Sequence, residues 1–421
     1  MKKQIIKERI LNNGVRIITC PADKEEFTLA VYINTGLRYK NNKTELAHLA
    51  EHLVTKGNGK IDADRTRDFF ITNKIIKSDA GTDHSNINFT LLTKEPKNSS
   101  ELVDFLYHVV INEEYKEKEF ENEKSVILQE LATWSDMGKD HLYHIFVSKL
   151  FGFDYDIKER LKLVNKLTIE DIKEYKRQDF QPDRVFVFAS GSFDETKFNE
   201  DIKKTFGRLK LACSKRDKTF IFDKSHKEIY LPSIKFGHIL NYFYLGFCID
   251  YRDFLGLMFL SRVLDNSSWT GRLFYELREK RGNGYSLETS VERFYNGLGF
   301  LEIYSGVYDF SQACDIIFPM LKRLKSKDIP EEEFEFVKET VEYELTNELG
   351  DSFSRIEFLY NSIASGLIRL PYDLSQFSAK SLSPADIRSL ANKYLNRNYT
   401  LVAITNPFTE NKPIREFVQH L

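Results

Sequence analysis

Cysteine is scarce in this sequence. Only four occur, Cys20, Cys213, Cys248 and Cys314, and no two stand in a Cys-x-x-Cys spacing. A disulfide framework or a thiolate metal site needs paired spacings, so these read as reduced structural thiols. Long apolar runs are missing too. None approaches the roughly 18 residues of a membrane span, and Met1-Lys-Lys-Gln-Ile-Ile-Lys-Glu-Arg9 has no apolar signal core. The expectation is a cytoplasmic chain without a membrane span. Nor is there a basic excess: 61 Lys and Arg against 63 Asp and Glu leave a formal net charge of -2, which argues against a nucleic-acid surface. No glycine-rich phosphate loop follows a strand, since Gly57-Asn-Gly59-Lys60 is too short and reads as a helix-ending turn. An oxidoreductase or nucleotide enzyme therefore has little support.

What the chain does carry is His48-Leu49-Ala50-Glu51-His52. At about 3.6 residues per turn, positions i and i+4 fall roughly 40° apart around a helix, so His48 and His52 can grip one ion. Glu51 precedes the second histidine by one residue, near enough to polarise a bound water without being a ligand. This spacing is the inverted zincin signature. It arises by chance in a chain of this length with a probability on the order of one in a hundred. A zinc site of this type needs a third protein ligand and leaves the fourth position to water or substrate.

The acidic segment Glu119-Phe-Glu-Asn-Glu123-Lys-Ser-Val-Ile-Leu-Gln-Glu130-Leu supplies the candidate. Its apolar Phe120, Val126, Ile127 and Leu131 fit a helix, with Glu123 and Glu130 two turns apart on nearly one face. Glu130 is the candidate third ligand. Glu123 is a carboxylate placed to orient a ligand or the water. Two imidazoles and one carboxylate suit a single zinc ion per chain, although manganese or cobalt could substitute.

The chain also repeats itself. Thr168-Ile-Glu-Asp171-Ile172 is echoed 215 residues later by Ser383-Pro-Ala-Asp386-Ile387, and each is followed by a turn and a buried strand. The acidic helix recurs at an offset of 214, where Glu333-Phe334-Glu335, Lys338 and Glu344-Leu345 match Glu119-Phe120-Glu121, Lys124 and Glu130-Leu131. The copy of the metal helix, near Leu257 to Leu264, keeps the apolar pattern but has no histidine. Only the first half can build this site. A chain of 421 residues suits two domains of about 200 each. Strand-like Val15-Arg-Ile-Ile18, Leu29 to Ile33 and Ile87 to Leu92 alternate with helical stretches, which indicates an α+β fold with helices covering one face of a sheet. The expected division is residues 1–208, a polar linker at 209–227, and a homologous second domain at 228–421.

On these residues the chain resembles the pitrilysin-type metallopeptidases, and the resemblance runs over nearly its whole length. Leu11-Asn-Asn-Gly14-Val-Arg-Ile17 is similar to the family's opening strand, Gly36-Leu-Arg38 to its turn, and Ala47 to Leu53 to its metal helix. The segment Gly271-Arg-Leu-Phe-Tyr-Glu-Leu-Arg278-Glu-Lys-Arg-Gly282-Asn-Gly-Tyr285 is similar to one that carries a paired Arg and Tyr. The resemblance implies that Arg278 and Tyr285 contact the substrate carbonyl, a role that suits two donors facing a developing oxyanion. Asp79-Ala80-Gly81-Thr82 is similar to the family's substrate-pairing edge strand, to which an extended peptide adds by main-chain hydrogen bonds. Asp79 stands where the family commonly has Asn, and Leu49 where Phe is common. His84 is not expected to be a ligand.

The resemblance further implies two homologous domains, each a mostly antiparallel sheet, and zinc-dependent hydrolysis of peptide bonds with Glu51 as general base. The implied partners are an unfolded peptide or leader segment and a second copy of this chain, the first domain of one facing the second domain of the other across an enclosed chamber. A heterodimer with a related chain is the alternative assembly. A noncatalytic structural or binding subunit is the competing function.

Overall fold

The computed structural model describes residues 4–23, 25–35, 44–57, 61–136, 138–153, 155–210, 227–232, 240–266, 269–284 and 286–405. The expected turn at Gly36-Leu37-Arg38 and nearly all of the expected linker lie outside them. The first half supplies strands β1 (Ile5–Ile10), β2 (Arg16–Pro21), β3 (Phe27–Asn34), β4 (Ile75–Thr82), β5 (Asn86–Thr93) and β6 (Val185–Gly191). Its helices are α1 (Thr44–His52), α2 (Ala63–Thr72), α3 (Ser99–Ile111), α4 (Glu117–Asp136), α5 (Gly138–Phe151), α6 (Ile157–Lys166), α7 (Ile169–Asp179) and α8 (Glu195–Lys204). The second half supplies β7 (Lys227–Pro232), β8 (Asn241–Asp250), β9 (Ser286–Tyr295), β10 (Leu298–Val307), β11 (Tyr372–Asp373) and β12 (Tyr399–Thr405). Its helices are α9 (Phe254–Leu264), α10 (Arg272–Phe274), α11 (Phe310–Ser326), α12 (Glu331–Gly350), α13 (Ser352–Ser365) and α14 (Pro384–Tyr394). No helix among the described residues is long and apolar enough to cross a membrane.

The duplication read from sequence reappears as topology. One sheet runs β11-β1-β2-β6-β3-β5-β4 and the other β7-β12-β8-β10-β9. Within these, β2-β6-β3-β5-β4 and β7-β12-β8-β10-β9 match strand for strand. In each the first pair is parallel, β2 with β6 and β7 with β12, and the remaining pairs are antiparallel. The echoed starts of α7 and α14 are both capping boxes. Thr168 and Ser383 each accept from the backbone N–H three residues on, while Asp171 and Asp386 accept from the cap's own N–H.

The apolar run Leu29-Ala-Val-Tyr-Ile33 belongs to a strand covered on both faces. Leu29, Val31 and Ile33 join Val185 and Val187 in a core completed by Leu49, Leu102, Leu106, Phe120 and Ile127 of the first half's own helices. Ala30 and Tyr32 point the other way, with Phe186 and Phe188, into a core that includes Leu359 and Tyr360 of α13. Tyr32 and Tyr360 stack at 4.2 Å. The second sheet is treated likewise by the first half: Leu142, Phe146, Leu150 and Phe151 of α5 pack on Tyr244, Phe294, Phe300 and Val402. Gly246 on β8 makes room for this helix, because a Cβ there would come within 2.6 Å of Phe146 Cε2. Each half thus lends one helix to the far face of the other half's sheet. The α+β class and the helix-covered sheets agree with the sequence, and the reciprocal helices are an addition to it. Cys20 and Cys314 are buried and Cys248 is partly buried, while Cys213 lies outside the described residues.

Candidate metal centre

α1 is seated by Ala47, Leu49 and Ala50, which are buried in the first core together with Leu53 just beyond it. That seat turns the opposite face, His48, Glu51 and His52, toward α4. There Phe120, Ile127 and Leu131 are buried, while Val126, which fits the same apolar pattern, is exposed. The consequence is that Glu123 and Glu130 meet the two histidines. His48 Nε2 lies 3.2 Å from His52 Nε2 and 3.3 Å from Glu130 Oε2, which is itself 3.7 Å from His52 Nε2. Among the described residues, His48, His52 and Glu130 form the one group whose ligand atoms lie within 4.8 Å of one another.

These separations fit a zinc ion. Ligands at about 2.0–2.1 Å in a tetrahedron have edges of about 3.3 Å, close to the spacing of the two imidazole nitrogens and the carboxylate oxygen. The far nitrogens of both rings meet carboxylates. His52 Nδ1 donates to Glu123 Oε2 at 3.1 Å, and Lys56 Nζ holds the other Glu123 oxygen at 3.1 Å. His48 Nδ1 faces Glu45 Oε2 at 3.8 Å. A proton on Nδ1 leaves each Nε2 with a free lone pair, the state a ligand needs. Burial would raise Glu123, but the hydrogen bonds from His52 and Lys56 outweigh it and hold the carboxyl below its ordinary range. Glu130 is likewise lowered, chiefly by its contact with His48.

Glu51 lies beside the cluster, its Oε2 4.0 Å from His52 Nε2. Burial pushes its carboxyl up, the histidines oppose this, and Glu130 and Asp79 add to it. Thr82 Oγ1 donates to Glu51 at 3.5 Å, tying α1 to β4. β4 ends the first sheet, pairing with β5 through Asp79–Thr90, Ala80–Phe89, Gly81–Asn88 and Thr82–Ile87. The structure therefore brings the Asp79 to Thr82 segment to the metal helix. Arg278 sits elsewhere: its guanidinium, 52% exposed, lies 3.9 Å from Glu279 and 5.1 Å from the centre of the Phe274 ring. Tyr285 lies outside the described residues. His84 is buried against Phe294 of the second half at 4.9 Å.

In the second half the corresponding place is filled by an ion pair. Arg262 and Glu344 stand 214 residues after His48 and Glu130. The Arg262 Nε donates to both Glu344 oxygens at 2.8 and 2.9 Å.

Sequence reasoning missed Glu45, Arg160, Trp134 and Lys56. Arg160 Nε bonds Glu45, and the Trp134 ring lies 5.7 Å from His48 at 13°. The signal for Glu45 was its i, i+3 spacing to His48 on one helix. Nothing in the spacing pointed to Arg160, which arrives from α6.

The duplicated α+β scaffold gathers two imidazoles and a carboxylate beside a raised glutamate, a candidate metal site of the kind metallopeptidases use. The family profile described as Insulinase (Peptidase family M16) matches residues 17–152, and the one described as Peptidase M16 inactive domain matches residues 166–341. The chain belongs to the M16 family. The Bacillus subtilis protein named uncharacterized zinc protease YmxG is 23% identical over 363 residues, covering 84% of this chain and 86% of that protein. The mitochondrial-processing peptidase subunit beta of Dictyostelium discoideum is 24% identical over 213 residues, 49% of this chain and 45% of its own length. The crystal structure of a protease from Helicobacter pylori superposes with a TM-score of 0.82 at 20% identity, covering 95% of this chain and 99% of that one.

Proposed function

We propose that this chain is a zinc-dependent endopeptidase that cuts unfolded peptides or leader segments inside a chamber enclosed by two chains. The observation that carries this is the convergence of His48 Nε2, His52 Nε2 and Glu130 Oε2 within 4.8 Å, with the raised carboxyl of Glu51 alongside. His48, His52 and Glu130 would hold one zinc ion, which supplies a Lewis acid that acidifies water and polarises a peptide carbonyl. Glu51 takes the proton of the attacking water and passes it to the leaving amine, a task that suits a carboxyl raised above its ordinary value by burial. The edge of β4 from Asp79 to Thr82 accepts an extended peptide as an added strand, which aligns the scissile bond with the Thr82–Glu51 contact. Arg278 and Tyr285 donate to the developing oxyanion from the second chain. A homodimer supplies that chain in its simplest form. The likeness to a protein named as a processing-peptidase subunit supports a related but different chain as the alternative partner.

The description of the second-half profile as an inactive domain favours a second reading, a noncatalytic subunit of a peptidase-like complex. Mass-spectrometric cleavage of a pool of unstructured peptides, with a chelator arm and zinc add-back, separates the two. Internal cuts that the chelator abolishes and zinc restores are expected, and Glu51→Gln should retain zinc while losing at least about 100-fold in hydrolysis. Zinc-loaded protein that cuts no peptide, yet binds a partner chain, would support the subunit instead.

A further inference from the structure

We propose that Glu45, clamped by Arg160, is the positioning residue for His48, fixing its Nδ1 proton and ring orientation so that Nε2 faces the ion. This rests on the zinc reading above.

Glu45 lies in the first turn of α1, three residues before His48, and is 1% exposed. Its Oε1 accepts from Arg160 Nε of α6. Its Oε2 is buried without a hydrogen-bond partner and faces His48 Nδ1 at 3.8 Å. A carboxylate oxygen shut away from water with no donor is an unfavourable state, and His48 Nδ1–H is a donor in its path. A slight turn of the imidazole closes that gap to an ordinary charge-assisted bond.

Arg160 is itself held in place. Its guanidinium lies over Tyr155 at 5.3 Å and over Trp134 at 5.8 Å, and the Trp134 ring stacks on His48. The back of His48 is therefore gripped from α1, α4 and α6 together. His52 has the matching arrangement, with Glu123 against its Nδ1 and Lys56 against Glu123. Each imidazole thus has its own carboxylate, and each carboxylate its own cation. The bland alternative is that Glu45 and Arg160 only tie α6 to α1, in which case the ring would not sense their loss.

The test is zinc affinity of the full chain, measured by competition with a chromophoric chelator. Glu45→Gln is expected to weaken zinc about 10- to 100-fold. That loss should persist in a His52→Ala background, where His48 still needs orienting, and vanish in a His48→Ala background. An affinity within twofold of the parent, or an equal loss in both single-histidine backgrounds, would overturn the proposal. Should Glu45→Gln fail to fold, Glu45→Leu combined with Arg160→Met removes both buried charges at once and is read against the same controls. A parent chain that binds no zinc would instead sink the metal reading itself, and this proposal with it.

Discussion

The contact between Phe146 and Gly246 joins the two halves, and its strength can be worked out. Phe146 is fully buried on α5, lies 5.2 Å from the Tyr244 ring and 5.8 Å from Phe300, and covers the backbone of Gly246. Phe146→Ala removes a whole ring from this core, which costs about 3–5 kcal/mol. Gly246→Ala pushes a methyl into the same ring, with Leu301 O 3.4 Å behind it, so overpacking costs about 1–3 kcal/mol. In the double variant the new methyl enters the space the ring has left. Its total cost should then be no more than that of Phe146→Ala alone, about 1–3 kcal/mol less than the sum of the singles. Urea unfolding followed by circular dichroism, on chelated protein so that metal binding does not contribute, reads all four forms. Additivity to within about 0.5 kcal/mol would refute the close packing of this helix on the second sheet.

Glu123→Ala should loosen zinc about 10- to 100-fold by freeing the far side of His52, readable as a lower chelator concentration for half-removal. For a pH effect the informative group is Glu302, whose carboxyl burial pushes up to about 8, with Glu292 adding. Folded protein keeps this proton up to about 8 and unfolded protein only to about 4.5, so the group's contribution to stability falls as pH rises across that window. Glu302→Gln should flatten the decline, with its advantage over the parent growing from pH 5 to pH 8 in thermal melts; a constant difference would refute this. If Arg278 acts across the dimer, Glu51→Gln chains mixed equally with Arg278→Ala chains should recover about one quarter of parent activity, since half the dimers are mixed and each holds one intact site. Mixtures as inactive as either variant alone would exclude a site shared between chains.

Much of the fold was legible because the chain repeats. The recurrence of Glu-Phe-Glu, Lys and Glu-Leu at a fixed offset anticipated that α4 and α12 hold equivalent places, and the capped starts of α7 and α14 could be read as helix N-termini. The candidate metal cluster was legible for a similar reason. Two histidines on one turn and two glutamates two turns apart are each set by helical periodicity, and only the meeting of the two helices needed the structure. Periodicity stops at the helix surface. Nothing in it placed Phe146 and Phe151 on the other half's sheet. The pairing of β11 with β1 joins residues far apart in sequence, and so does the bond from Arg160 to Glu45. Val126 shows the converse: an apolar residue that fits the pattern yet is left at the surface.

The lending of α5 and α13 limits how the two-chain chamber proposed above would open. Arg355 of α13 is fully buried and donates to Ser190 of β6 at 3.0 Å and to Glu25 at 3.0 Å, so the crossing is fastened by polar as well as apolar contacts. Swinging the halves of one chain apart would uncover both borrowed helices and strand that guanidinium, a motion of unfolding size. Among the described residues, these contacts oppose any hinge motion between the two halves of one chain. In the two-chain chamber proposed above, admission of a peptide would fall to the seam between chains, so that breathing at that seam, and not flexibility within a subunit, would gate turnover.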